Sequence, residues 1–190
     1  MATRGDTKRE RLRDAAVELV HRQGFERTTL ADLARETGIP LGSVYYYFKT
    51  KEAIGEAVVS ARAAGHRARL AEWDELADPR RRIERFIGMT IENRDGLAQR
   101  GCPVGTLVSE LRKNGAPLAS SAAAIFEDVL VWLEQQFRQL GQGRRSRGHA
   151  ERVLAALEGA TLLAHAFGDA SYLDREAERL KEWLRELAPK

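Results

Sequence analysis

Apolar residues recur at helical spacing along nearly the whole chain, and this period rules out most folds at once. Leu12, Ala15, Ala16, Leu19 and Val20 fall at i, i+3, i+4, i+7 and i+8, one face of a helix, and Gly24 follows as a stop. Thr29 suits the N-cap of a second segment, in which Leu30, Leu33 and Ala34 share a face and Gly38 terminates. Pro40 opens a short third segment. Its run Val44-Tyr45-Tyr46-Tyr47-Phe48 has strand-forming residues, but it lies between helical patterns with no partner strand nearby, so a helix is expected. Thr50 caps the next helix, whose buried stripe is Ile54, Ala57, Val58 and Ala61 and which continues to about Leu76.

The same period continues beyond a break at Asp78-Pro79. Ile83, Phe86, Ile87, Thr90 and Ile91 form one amphipathic helix ending near Asp95-Gly96, and Val104, Leu107, Val108 and Leu111 another, opened by Pro103. Asn114-Gly115-Ala116-Pro117 reads as a turn, followed by a long helix from about Leu118 to Leu140. Gly141–Gly148 is the most loop-like stretch. Two more helices close the chain, around Val153–Phe167 and Leu173–Leu187. There is no hairpin signal and no repeat. The expected fold is all-α, with about nine helices.

Composition narrows the class further. With 43% hydrophobic and 31% charged residues in 190, and 16 Gly and 5 Pro, the chain is neither collagenous nor low-complexity. A single Cys forms no internal disulfide, which suits a reducing compartment. No stretch approaches the roughly 18 consecutive apolar residues of a membrane span. The opening MATRGDTKRERLRD has no apolar signal core, so the expected location is the cytoplasm, away from membranes. Residues 1–51 hold ten Lys/Arg against seven Asp/Glu, and the remainder holds 21 of each, so the whole net charge of +3 falls in the first quarter. A basic module on a neutral body suggests a polyanion partner; a solvated mixed-charge surface gives the same count.

The first fifty residues fit a helix-turn-helix. Gly38 suits the left-handed turn position between the second helix (about Leu30 to Glu36) and the third (about Leu41 to Tyr47). Gly42 and Ser43 leave room for a major groove, while hydroxyls and aromatic rings can meet phosphates, base edges or thymine methyls. Thr28, Thr29 and Lys51 lie at helix starts, where amides, hydroxyls and an ammonium suit phosphate. Successive residues of a helix point about 100° apart, so at least one of Tyr45, Tyr46 and Tyr47 must face outward.

These segments carry a resemblance. R-L-R-D-A-A-V-E-L-V, G-F, T-T-L-A-D-L-A and G-I-P-L-G-S-V-Y-Y-Y-F-K-T-K-E-A-I, over Arg9 to Ile54, are similar in order and spacing to the DNA-binding domain of the TetR family of bacterial repressors. The resemblance implies a DNA-binding domain at 1–50 and a helical ligand-binding and dimerisation domain at 51–190. It implies a homodimer on double-stranded DNA, with base-edge or phosphate contacts at Leu41, Gly42, Ser43, Tyr45, Tyr46 and Tyr47 and phosphate contacts at Thr28, Thr29 and Lys51. Gly101-Cys102-Pro103-Val104-Gly105-Thr106-Leu107-Val108-Ser109-Glu110-Leu111 resembles a segment of the LmrA/YxaF-like branch, which implies an aromatic or multidrug-like effector.

The expected function is a ligand-responsive transcriptional regulator, a repressor released from a palindromic operator by a small apolar or aromatic molecule. Aromatic, thioether and scattered polar groups suited to such a pocket are Phe86, Met89, Thr90, Asn93, Cys102, Leu107, Leu111, Phe126, Trp132 and His165. The last two helices are apolar on more faces than one small body covers, so Leu157, Ala160, Leu163, Phe167, Leu180 and Leu184 are expected at a two-fold interface. Cys102 sits near a helix start, where a thiolate is favoured, and reads either as an oxidant or electrophile sensor or as a small buried hydrophobe. An enzyme using Cys102 as nucleophile lacks a recognisable Cys–His–Asp signature, so no catalysis is expected. The four His show no ligand spacing, so no metal or other cofactor is expected either. A helical interaction module without DNA remains the other alternative; the charge placement and the tyrosine-bearing third helix speak against it.

Overall fold

The computed structural model describes residues 4–187. Among them are ten α-helices, one 3-10 turn and no strand. The helices are α1 (Arg4–Gln23), α2 (Leu30–Thr37), α3 (Leu41–Tyr47), α4 (Lys51–Asp74), α5 (Pro79–Glu92), α6 (Arg94–Arg100), α7 (Gly105–Lys113), α8 (Ala119–Gln139), α9 (Ser146–Phe167) and α10 (Ser171–Glu186). The all-α expectation holds. The helix added to those read from the sequence is α6, which Asp95-Gly96 had suggested was a stop.

The chain divides into two compact units, residues 1–65 with 106–125 and residues 66–105 with 126–190. In the first, the local signals act as the residue types dictate. The Thr29 hydroxyl accepts from the Asp32 N–H at 3.1 Å, and the Asp32 carboxylate accepts the Thr29 N–H at 2.9 Å, a reciprocal capping box on α2. Gly38 ends α2 at φ 67°, the left-handed conformation that turns the chain into α3. Arg22 pairs with Glu36 at 2.9 Å and Arg11 donates to the Thr37 carbonyl, so two α1 side chains hold α2. Leu12, Ala16, Leu33 and Ile54 are buried as their spacing predicts, and Val44 is buried with them.

The second unit is built on a continuous core from α4, α5, α8, α9 and α10, including Trp73, Phe86, Trp132, Phe137, Leu157, Leu180 and Leu184. A smaller cluster joins Ala98 of α6 to Ala160, Ala164 and Leu173. Asp78-Pro79 proves to be the N-cap and first residue of α5, with the Asp78 carboxylate accepting the Arg80 N–H. Arg82 donates to the Leu76 and Asp74 carbonyls and to Gln136, closing the end of α4 and satisfying a buried amide. The expected loop over Gly141–Gly148 is shorter than its composition suggests. Gly143–Arg145 is a 3-10 turn and Ser146 already begins α9, where Arg147 is held by two bonds to Glu127 and one to Glu151.

Leu157, Ala160, Leu180 and Leu184 were expected at a partner interface, but each is buried within its own chain. They pack on neighbouring helices because they occupy the inward stripe. Leu184 is 0% exposed, so Leu184→Ala is expected to cost about 2–5 kcal/mol of stability through a cavity rather than by parting two subunits. Urea denaturation checks this; an unchanged midpoint would contradict the packing.

Candidate nucleic-acid interface

The helix-turn-helix presents one face to the core and the other to solvent. Val44 and Phe48 are buried, which fixes the rotation of α3 about its axis. That rotation leaves Leu41 41%, Tyr45 51% and Tyr46 79% exposed. Gly42 is exposed, with open space where a Cβ would stand. Ser43 and Tyr47 are partly buried at the rim, and the Tyr46 and Tyr47 rings meet edge to face at 5.1 Å. Six of the expected residues therefore share one short outward helix of small, hydroxyl-bearing and aromatic side chains.

Thr29 is exposed beside them, at the start of α2, with its hydroxyl engaged by Asp32. Hydrogen bonds from the Thr29 hydroxyl, then from its N–H, hold the Asp32 carboxyl below the usual carboxylate range, so the cap stays ionised at neutral pH. Thr28 differs from its neighbour. It is buried, and its hydroxyl donates to the Gly24 carbonyl at 2.7 Å, which stabilises the turn and leaves no hydroxyl for phosphate. Lys51 is also occupied. Its ammonium donates to the Glu26 carbonyl at 2.6 Å and carboxylate at 2.8 Å and lies over the Phe25 ring. The hydrogen bond from Lys51 holds the Glu26 carboxyl below its ordinary range, so this pair is neutralised locally.

The turn Gly24–Thr28 between α1 and α2 is gripped from outside the helix-turn-helix as well. The Glu110 carboxylate of α7 accepts the Phe25 N–H at 2.8 Å and the Glu26 N–H at 2.7 Å. Asn114, one turn further along, donates to the Glu26 carboxylate at 3.0 Å. Glu110 lies in the segment singled out in the sequence, but spacing alone does not reveal that it reaches across 85 residues.

The residues expected around an effector are drawn from both units. Leu107 and Leu111 are buried in the first unit, whereas the other eight belong to the second. Of these, Phe86 and Trp132 meet at 6.3 Å, and Trp73, absent from the expected set, completes a trio at 6.2 and 5.9 Å. The Trp132 indole N–H donates to Asp74. Thr90 is buried, Phe126 is partly buried, and Met89 is partly buried with its sulfur against Arg69. Asn93 and His165 are exposed, with Asn93 donating to the Met89 carbonyl and His165 set against that of Ala98.

Cys102 is partly buried beside Glu158. Burial first, and the Glu158 carboxylate second, push the thiol up to about 12. The helix-start effect expected to favour a thiolate is outweighed by desolvation and by a like-charged neighbour. Among the described residues no group of His, Cys, Asp and Glu could hold a metal, and no helix is long and apolar enough to cross a membrane.

On α9 an apolar face remains uncovered. Leu162 is 67%, Leu163 44% and Phe167 66% exposed, and a shallow groove runs beside them along Ala155, Ala156 and Gly159 to Tyr172 and Arg175. Leu163 and Phe167 were expected on such a surface; Leu162 was missed, although it adjoins Leu163.

Comparison with known proteins agrees with this geometry. The model of the tetR family of bacterial regulatory proteins matches residues 12–58, and that of the C-terminal domain of LmrA/YxaF-like transcriptional regulators matches residues 79–179. The chain is 30% identical to the HTH-type transcriptional regulator LmrA of Bacillus subtilis (strain 168), over 84% of this chain and 87% of that one. It is 27% identical to the HTH-type transcriptional regulator YxaF of the same organism, over 97% and 98%. A solved TetR-family regulator from Agrobacterium tumefaciens superposes with a TM-score of 0.81 at 25% identity, covering 94% of this chain and 98% of that one. With its helix-turn-helix and the body that follows both matched, the chain belongs to the TetR family of transcriptional regulators, in the LmrA/YxaF-like branch.

Proposed function

We propose that the protein is an effector-responsive repressor that binds a palindromic operator as a homodimer, with residues 1–50 as the reading head. The observation that carries this reading is the outward face of α3. Tyr46 stands 79% exposed on a helix whose opposite side is locked into the core. An exposed aromatic has little to contribute to folding, whereas its ring suits a thymine methyl and its hydroxyl a phosphate or base edge. The proposed contacts are Leu41, Gly42, Ser43, Tyr45, Tyr46 and Tyr47, with Thr29 at the start of α2. Thr28 and Lys51 are left out, because their polar groups are already bonded within the chain.

The proposed seat of the second copy is α9. Leu162, Leu163 and Phe167 form an apolar surface of the kind that marks a protein partner, and the small residues Ala155, Ala156 and Gly159 allow close helix approach. A two-fold dimer reads two half-sites, from which operator palindromy follows. For the effector, the Trp73–Phe86–Trp132 trio supports an apolar, aromatic molecule that separates or reorders these rings. The thiol-triggered alternative is disfavoured by the raised Cys102 pKa.

Tyr46→Ala is expected to keep the wild-type melting temperature and lose about 1–3 kcal/mol of specific DNA binding, read by circular dichroism and gel shift on a duplex selected from random DNA. Full affinity in the folded variant would remove α3 from the interface. Phe167→Arg is expected to give a folded monomer at micromolar concentration in sedimentation, where wild type sediments as a dimer. Native Cys102 is expected to react with iodoacetamide at pH 8 at least about 100-fold more slowly than the unfolded chain, because a thiol titrating near 12 is almost wholly protonated there. Equal rates would return the thiol to consideration as the trigger.

A further inference from the structure

We propose that Glu110 is a positioning residue for DNA binding, its carboxylate setting where the helix-turn-helix begins. This rests on the reading that α2 and α3 face the duplex. The Gly24–Thr28 turn is the piece of chain from which α2 departs, and most of its backbone groups are hydrogen-bonded. The Gly24 carbonyl accepts from the Thr28 hydroxyl, the Phe25 carbonyl from the Thr28 N–H at 3.1 Å, and the Arg27 carbonyl from Gln23. The two successive N–H groups of Phe25 and Glu26 point the other way, and both end on the single carboxylate of Glu110. Charge-assisted bonds to two adjacent amides fix the turn in position and in rotation together, which one bond does not.

The fit is close at Gly24. That residue sits at φ 88°, and a Cβ there would stand 3.1 Å and 3.2 Å from the two Glu110 oxygens. The left-handed backbone favours glycine, and any side chain there would also press on the carboxylate. Asn114 repeats the grip one helical turn on, through the Glu26 carboxylate, which Lys51 of α4 holds from the other side. The turn is thus held between α7 and α4. Apolar packing alone would let it slide along the helix surface, whereas paired hydrogen bonds define one register. Glu110 bonds the turn before α2, so its effect on DNA runs through the placement of α2 and α3.

The test uses the full chain and a duplex that the wild type selects from random-sequence DNA. Affinity and salt slope are measured for Glu110→Ala, Glu110→Gln and Asn114→Ala well below their melting temperatures, with amide exchange read at Phe25 and Glu26. The alanine variant is expected to lose affinity about tenfold or more while remaining folded. The glutamine variant keeps one acceptor oxygen and is expected to lose about threefold, with Asn114→Ala between it and wild type. Exchange at the two amides should quicken in the same order. Folded Glu110 variants that bind as tightly as wild type, despite faster exchange, overturn the proposal and reduce the contact to a local brace. If Glu110→Ala does not fold, Glu110→Gln decides: unchanged affinity with faster exchange overturns the proposal equally. Failure of the wild type to select any sequence overturns the functional reading and this inference with it.

Discussion

A helix satisfies its own backbone everywhere except at its ends, where four N–H and four C=O groups have no internal partner. In a chain of helices, any bond between elements must therefore come from side chains or from those ends. Here the packing is joined by a recurrent device, a charged side chain of one helix reaching the end or turn of another. Arg11 of α1 bonds the last carbonyl of α2, Arg82 of α5 closes α4, and Arg80 of α5 donates to the Leu184 and Leu187 carbonyls at the end of α10. Glu110 is the acceptor version of the same device. Apolar burial supplies most of the driving force, but it is non-directional. The directional bonds to helix ends select one arrangement among those that burial permits.

This division also explains what could be read from the sequence. Periodicity reports which face of a helix is buried, so Leu12, Leu33, Ile54 and Ile83 were placed correctly from spacing alone. Caps are equally local, and Thr29, Gly38 and Thr50 act as their residue types suggested. What spacing does not carry is the identity of the partner across a face. An inward stripe on α10 looks the same whether it meets its own chain or a second copy, which is why Leu180 and Leu184 were assigned to an interface and proved to be core. Polar residues were harder still. Thr28 and Thr29 are adjacent and chemically identical, yet one faces inward onto Gly24 and the other outward beside Asp32. Only the path of the turn distinguishes them.

The electrostatics follow a similar logic. The sequence places all of its net charge in the first quarter, but charge count overstates what is available there. Lys51 is held by Glu26, Arg22 by Glu36 and Arg35 by Asp32. These exposed pairs add little stability each. Their larger effect is to leave a quieter surface around α3, on which hydroxyls and rings are more prominent than ammonium groups.

The orientation of α3 has a consequence for how such a protein can change over time. Val44 and Phe48 anchor the helix from one side, while Leu41, Tyr45 and Tyr46 stand exposed on the other. Foldability and surface chemistry are thus written in different residues of one short helix and its cap. Mutations on the outward side escape the usual conflict between acquiring a new preference and staying folded. A lineage can drift through many surface chemistries at these positions without passing through unstable intermediates, and a laboratory library confined to them should consist largely of folded proteins.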